Sequence, residues 1–279
     1  MKIEEIHAFP LRIPYKKSAR IASWEYECCE SILVKVKAGD FVGYGEALTD
    51  PAFTGETMES ILGAIKNYLG RAVLGSNPFP LREIHHKMDG VLVKNTAAKA
   101  AIDMACLDTV GRAFGETAYN LLGGDFRSEI SEVPEIVFGP PAEVVKHCQE
   151  AVARGVRCLK VKVGEGFSED VEKVSRIREA VGHGTEIRLD ANQGWRDYWT
   201  AFKIIKGLEK YDISLIEQPL PAPDLEGSAR LRKATDTPIM LDESVHSVND
   251  ATSAIELQAC DIISVKIMKA GGLLRIREL

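Results

Sequence analysis

Lys160 and Lys162 stand two residues apart in the apolar run Leu159-Lys-Val-Lys-Val163, and a strand there points both ammonium groups to one face. Asp190, Glu217, Asp242 and Lys266 follow, each about 25 residues after the last and each at the end of another short apolar run. One ionisable group per repeat, always at the same relative position, is the pattern of side chains gathered at one end of parallel strands, where a βα barrel collects its catalytic groups. Three carboxylates flanked by ammonium groups offer hard oxygen ligands suited to Mg²⁺, which prefers octahedral oxygen coordination and leaves positions for water and a substrate carboxylate. Taken singly, each group also has a plain structural reading. An Asp or Glu after a strand commonly caps the next helix, and a lysine commonly lies on a solvated face. Two lysines turned inward from an apolar strand are costly without anionic partners, so the lysines and carboxylates have to be read together.

Such a set needs short strands separated by helices, and the second half of the chain supplies them. Candidate strands are Val133–Phe138, Cys158–Val163, Glu186–Leu189, Ile213–Ile216, Ile239–Leu241 and Ile262–Ile267. Between them a helix over Ala142–Arg154 stops at Gly155, one from Ser168 carries Val171, Val174, Ile177 and Val181, and Ser247-Val-Asn-Asp250 resembles a capping box for the run to Leu257. These βα repeats fit a doubly wound sheet or a TIM-type barrel, and the strand-end charges favour the barrel. Residues 1–125 follow another pattern. Lys2–Ile13, Ser31–Ala38 and Phe41–Ala47 alternate as strands, with Ala38-Gly39-Asp40 as a hairpin turn, and helices over Glu56–Leu69 and Thr96–Phe114 come after. The predicted organisation is an α+β domain over 1–125 and a βα domain over 126–279.

Composition removes other classes. A formal charge of −6 and the lack of a Lys/Arg run predict no nucleic-acid partner. The N-terminus lacks an apolar signal core, and no stretch approaches the roughly 18 apolar residues of a membrane span. A cytoplasmic protein with no membrane partner is expected. The six cysteines are scattered, and Cys28-Cys29, the only close pair, lacks metal or redox spacing, so buried thiols are expected. Gly164-Glu165-Gly166 lacks the third glycine of a dinucleotide loop, and His85-His86 has no metal-ligand spacing. Lys269-Ala-Gly-Gly272 reads either as an anion-accepting helix start or as a simple strand-to-helix turn.

Several stretches carry a resemblance. Thr54-Gly-Glu-Thr-Met-Glu-Ser60, Lys99-Ala-Ala-Ile-Asp-Met-Ala105, Leu121-Leu-Gly-Gly124, Leu159-Lys-Val-Lys-Val163, Leu189-Asp-Ala-Asn-Gln-Gly-Trp195, Ile216-Glu-Gln-Pro219, Asp242-Glu-Ser244 and Lys266-Ile-Met-Lys-Ala-Gly-Gly272 occur in this order. With them the chain resembles the muconate-lactonizing subgroup of the enolase superfamily, most closely its dipeptide epimerases of L-Ala-D/L-Glu type. The resemblance implies an α+β capping domain, with an early loop around residues 16–26, over a modified (β/α)₇β barrel. About six βα units are read before Leu279, so a C-terminally incomplete barrel is expected, without the family's eighth-strand D-x-D motif. By the same resemblance Asp190, Glu217 and Asp242 bind Mg²⁺, Lys162 and Lys266 are the acid/base pair on opposite faces of the substrate α-carbon, and Lys160 assists electrostatically. The implied activity is epimerisation or racemisation of a small carboxylate, a dipeptide above all, by a homo-oligomer. Departures are Arg20 or Trp24 at the early-loop arginine position, and Glu135 where an uncharged residue is usual. Glu135 reads as a solvated edge group or as a site for a cationic substrate end. A muconate-type cycloisomerase, an N-acylamino-acid racemase and an o-succinylbenzoate synthase share the metal and lysines. A Schiff-base aldolase would have no use for three carboxylates, and an inactive fragment is the non-enzyme reading.

Overall fold

The computed structural model describes residues 1–21, 24–124, 127, 129–136 and 138–279, with backbone alone for 17–21 and 24–26. The side chains of Arg20 and Trp24 therefore lie outside the described residues. Two compact units are present, one of Met1–Lys16, Glu27–Glu129 and Val265–Leu279, the other of Lys17–Tyr26 and Ile130–Ser264. The chain passes between them more than once, whereas the sequence reading draws a single boundary near residue 125.

In the first unit, β1 (Ile3–Ile21), β2 (Trp24–Ala38) and β3 (Phe41–Leu48) form a sheet in that order. Strand backbone thus extends through Ile21 and resumes at Trp24, where the resemblance implied a loop. β2 and β3 pair antiparallel from Ala38↔Phe41 to Ser31↔Leu48, and Gly39 supplies the positive φ of the hairpin turn. Alternation along β2 buries Ile32, Val34, Val36 and Ala38. The helices α1 (Met58–Ala64), α2 (Gly70–Val73), α3 (Leu81–Val91), α4 (Thr96–Phe114) and α5 (Ala118–Leu121) follow, with one π-helical turn at Ile65–Leu69 between α1 and α2. Thr57 and Ser60 form a reciprocal capping box on α1.

The contact of α4 with β3 explains why both are built of small residues. A Cβ on Gly45 would collide with the carbonyl oxygen of Ala101, and one on Gly43 with that of Ala105. Glycine on the strand and alanine on the helix let the two backbones meet.

The second unit holds six parallel strands, β4 (Glu135–Ile136), β5 (Cys158–Lys162), β6 (Glu186–Asp190), β7 (Ile213–Glu217), β8 (Ile239–Leu241) and β9 (Ile262–Ile263), in sequential order. Between them run α6 (Pro141–Ala153), α7 (Phe167–Val181), α8 (Tyr198–Leu208), α9 (Leu225–Ala234) and α10 (Val248–Glu256). This is the successive βα architecture of a parallel α/β barrel domain. Leu159, Val161, Ile187, Leu189 and Ile216 form its core with Val174, Ile177, Ile204 and Ile205. Asp197, Asp224 and Ser247 cap α8, α9 and α10 through their side chains.

The sixth strand is shorter than predicted. Its ladder ends at Leu241↔Ile263 because β8 gives way to the Asp242-Glu-Ser loop, and Lys266 becomes the N-cap of α11 (Ile267–Ala270). α11 and α12 (Leu273–Glu278) belong to the first unit. The turn between them uses Gly271 and Gly272 at φ +94 and +143, and the Leu273 N–H donates to buried Asp103 Oδ2 at 3.0 Å. The anion at this helix start is thus the protein's own carboxylate, whose other oxygen lies 2.7 Å from His85 Nε2. Among the described residues no helix is long and apolar enough to cross a membrane.

Candidate active site

Parallel pairing lines up the charged ends of three strands. Lys162 pairs with Asp190 and Asp190 with Glu217, while Glu135 pairs with Lys160 on the other flank. Alternation places Lys160 and Lys162 on one face, as their spacing requires. Lys160 Nζ bridges Asp190 Oδ2 at 2.9 Å and Glu217 Oε2 at 2.8 Å. Lys162 Nζ meets Asp190 Oδ2 at 2.8 Å, Glu135 Oε1 at 2.8 Å and Asn192 Oδ1 at 2.9 Å. Asp190, Glu217 and Asp242 are all buried, and so is Lys162.

Crowding of carboxylates in an apolar sheet end has the expected electrostatic result. Burial, followed by the adjacent Asp190 charge, pushes Glu217 up to about 7 against the pull of Lys160. Burial and then Asp242 raise Glu243. For Lys160 and Lys162 burial works against the ammonium, but the carboxylates outweigh it and raise both lysines, with Glu135 contributing at Lys162. Glu135 is therefore no solvated bystander; its half-exposed carboxylate is an ion-pair partner of Lys162.

The loops past the strands are stitched together in sequence. The N–H groups of Val163, Ala191 and Gln218 donate to the carbonyls of Asp190, Glu217 and Met240. Asn192, Gln193 and Gln218 have φ of +40, +67 and +41, a region favoured by glycine, and each is held by specific bonds. Asn192 Nδ2 donates to Glu243 Oε1 at 3.1 Å, and Gln193 Oε1 accepts from the Ala222 N–H at 2.9 Å. Gln218 Oε1 accepts from the Asp242 N–H at 2.9 Å and the Ser244 N–H at 3.2 Å, which sets where Asp242 enters the site. Sequence reasoning missed Asn192, Gln218 and Glu243; their only signal was adjacency to Asp190, Glu217 and Asp242. Trp195 and the Gly164-Glu-Gly166 turn share one anchor, Asp170, which accepts from Trp195 Nε1 and from the three backbone N–H groups of the turn. The glycine turn is thereby filled by an internal carboxylate.

Among the described residues no three His, Cys, Asp or Glu side chains are gathered closely enough to cage a cation. The Lys160 ammonium instead stands between Asp190 and Glu217. The donor set still fits a hard dication. Glu217 Oε1 and Glu243 Oε2 are buried without a hydrogen-bond partner, an arrangement that is costly unless a positive charge or proton meets them. Lys266 lies in the other unit, its Nζ 4.1 Å above the centre of the Phe53 ring.

Comparison with known proteins agrees with this geometry along most of the chain. Residues 9–123 match the family model of the mandelate racemase/muconate lactonizing enzyme N-terminal domain, and residues 143–279 match the enolase C-terminal domain-like model. The L-Ala-D/L-Glu epimerase of Clostridium acetobutylicum is 37% identical over 98% of this chain and 76% of its own length. The crystal structure of the N-succinyl Arg/Lys racemase from Bacillus cereus superposes with a TM-score of 0.97 at 34% identity, covering 100% of this chain and 76% of that one. The dipeptide epimerase from Enterococcus faecalis, solved with Mg and the dipeptide L-Leu-L-Tyr, gives 0.95 at 37% identity, covering 100% and 79%.

Proposed function

We propose, because the chain belongs to the enolase superfamily through its mandelate racemase/muconate lactonizing domains, that it epimerises or racemises a carbon next to a carboxylate, with a dipeptide as substrate. The observation that carries this reading is the row of half-buried Lys160 with buried Lys162, Asp190 and Glu217 on adjacent parallel strands, with one Glu217 oxygen unpartnered.

Removing a proton next to a carboxylate creates an enolate dianion, so the site must stabilise charge where it develops. Asp190, Glu217 and Asp242 would hold Mg²⁺, which as a Lewis acid supplies that stabilisation at the substrate carboxylate. In this reading Lys162 and Lys266 are the acid/base pair, each the base that takes the α-proton of one epimer and the acid that returns a proton when the other is the substrate. Lys160 adds positive charge near the developing anion. Asn192 and Glu135 keep the flexible Lys162 stem in one place.

Incubation in D₂O with Mg²⁺ and dipeptides such as L-Leu-L-Tyr tests this. The expected result is deuterium at the α-carbon together with epimer formation. Lys266→Ala should abolish epimerisation while leaving exchange of one epimer, Lys162→Ala should leave exchange of the other, and Glu217→Ala should lose both. Full epimerisation by either lysine variant would refute the two-base assignment.

A further inference from the structure

Lysine is a poor acid/base group until its long stem is fixed, because four rotatable bonds leave the amine free to wander. Lys162 is fixed by three oxygen partners. Beside Lys266 lies the flat face of Phe53, with Nζ 4.1 Å from the ring centre. That distance is well inside the range in which an aromatic quadrupole attracts an ammonium group. The same ring also has Lys269 Nζ at 5.7 Å, and Lys269 is fully buried.

Both members of the Phe53–Lys266 pair sit on rigid backbone within the first unit. The Phe53 turn is closed by Phe53 N–H and Thr54 N–H donating to the Asp50 carbonyl at 3.1 and 2.8 Å, and Asp50 bridges to Glu56. Glu56 is buried and accepts from the first N–H groups of α4, Ala97 at 2.8 Å and Ala98 at 3.2 Å, so the turn is pinned to the start of that helix. Lys266 is extended, with its carbonyl accepting from Lys269 and Ala270 at 3.1 Å each, which starts α11. Both backbones are thus held, and what remains to be fixed is the Lys266 stem, which the ring face meets.

We propose that Phe53 is a positioning residue for Lys266. Its ring face holds the Lys266 amine in its working place, so that the half-reaction in which Lys266 takes the α-proton depends on an aromatic side chain at position 53. This rests on the reading of Lys266 as one of the two acid/base groups. It assigns Phe53 a role distinct from that of a general wall of the substrate site, which would serve both epimers alike.

The test follows α-deuterium exchange from each epimer separately, with the Mg²⁺-loaded protein, in wild type, Phe53→Leu, Phe53→Trp and Lys266→Ala. Lys266→Ala identifies the epimer served by Lys266. For that epimer Phe53→Leu is expected to slow exchange roughly tenfold, while exchange of the other changes by less than about twofold. Phe53→Trp, which restores a ring face, should recover most of the loss. Equal slowing of both epimers by Phe53→Leu, or a Trp variant as slow as the Leu variant, overturns the proposal.

A second measurement stands apart from the epimerase reading. After reductive methylation with ¹³C-formaldehyde, the dimethyl-Lys266 methyl resonance, assigned by its absence in Lys266→Ala, should be shifted upfield by the ring current. It should return to the ordinary lysine position in Phe53→Leu. If wild type exchanges neither epimer but shows this shift, the function is wrong and the positioning stands. An unshifted resonance in wild type removes the positioning whatever the activity.

Discussion

Lys162 carries a tension between its surroundings and its proposed task. A base must be neutral, yet Asp190 and Glu135 hold the ammonium form against the opposing effects of burial and of Lys160. Asp190 is a proposed cation ligand, so in the loaded site its charge is largely claimed and Glu135 becomes the main anion acting on Lys162. Glu135→Gln should therefore lower the Lys162 pKa and move the acid limb of the kcat/KM profile to lower pH by about one unit. The sign follows from activity requiring the deprotonated amine. A profile of kcat/KM carried up to about pH 11 for wild type and variant checks it, and a limb that moves upward or stays fixed contradicts the assignment of Lys162 as base. At this scale Lys160, Lys162, Asp190 and Glu217 were legible because strand spacing places them, whereas Lys266, read as the end of a sixth strand, caps α11 in the other unit. Glu135 was visible as a departure, but its pairing with Lys162 depends on the β4–β5 register. Asn192 and Gln218 were not legible, since their bonds exist only because the backbone there adopts a positive φ that no local pattern announces.

Elements were readable where periodicity is strong and misread where packing overrules it. The six strands of the parallel sheet follow from alternation and apolar runs, and the Ser247 cap of α10 from its Ser-x-x-Asp pattern, whereas α7 starts at Phe167 behind Gly166 with no side-chain cap. β9 ends early because it loses its neighbour, a tertiary fact, and β1 continues past the predicted Ile13 for a reason that local alternation does not carry. The fit of α4 onto β3 shows what glycine spacing encodes. Gly45→Ala should lower stability by roughly 2–3 kcal/mol, because the added methyl collides with the Ala101 carbonyl, a backbone atom that cannot rotate away. Gly63→Ala is the matched control. Nothing stands within 4 Å of its Cβ position and it lies inside α1, so alanine should stabilise by up to about 1 kcal/mol. Urea unfolding midpoints compare the two, and a neutral Gly45→Ala would mean that the helix does not sit on the strand as described.

Across the whole molecule, the buried acids set a pH dependence opposite to that of surface acids. Glu217, Glu243 and Glu56 are all raised, burial being the largest cause in each. A group raised on folding contributes stability that is complete below its unfolded value and is lost as pH climbs through its folded one. For Glu217 that window runs from the ordinary glutamate value of 4.5 to about 7. Exposed Glu5, Glu59 and Asp197 are lowered by hydrogen bonds, so their contribution is lost only as pH falls below the ordinary carboxylate range. The two windows do not overlap. Metal-free protein should therefore be less stable at pH 8 than at pH 5.5, with Glu217 accounting for on the order of 2 kcal/mol. Mg²⁺ requires the ionised carboxylates, so it should raise Tm more at pH 8 than at pH 5.5. Thermal unfolding in EDTA and in Mg²⁺ at both pH values, for wild type and Glu217→Gln, separates the effects. The amide has no charge to bury, so Glu217→Gln should flatten much of the pH dependence in EDTA and weaken the Mg²⁺ response. A Mg²⁺ shift of equal size at both pH values, or one that survives unchanged in Glu217→Gln, would show that the ion binds elsewhere than at the end of β7.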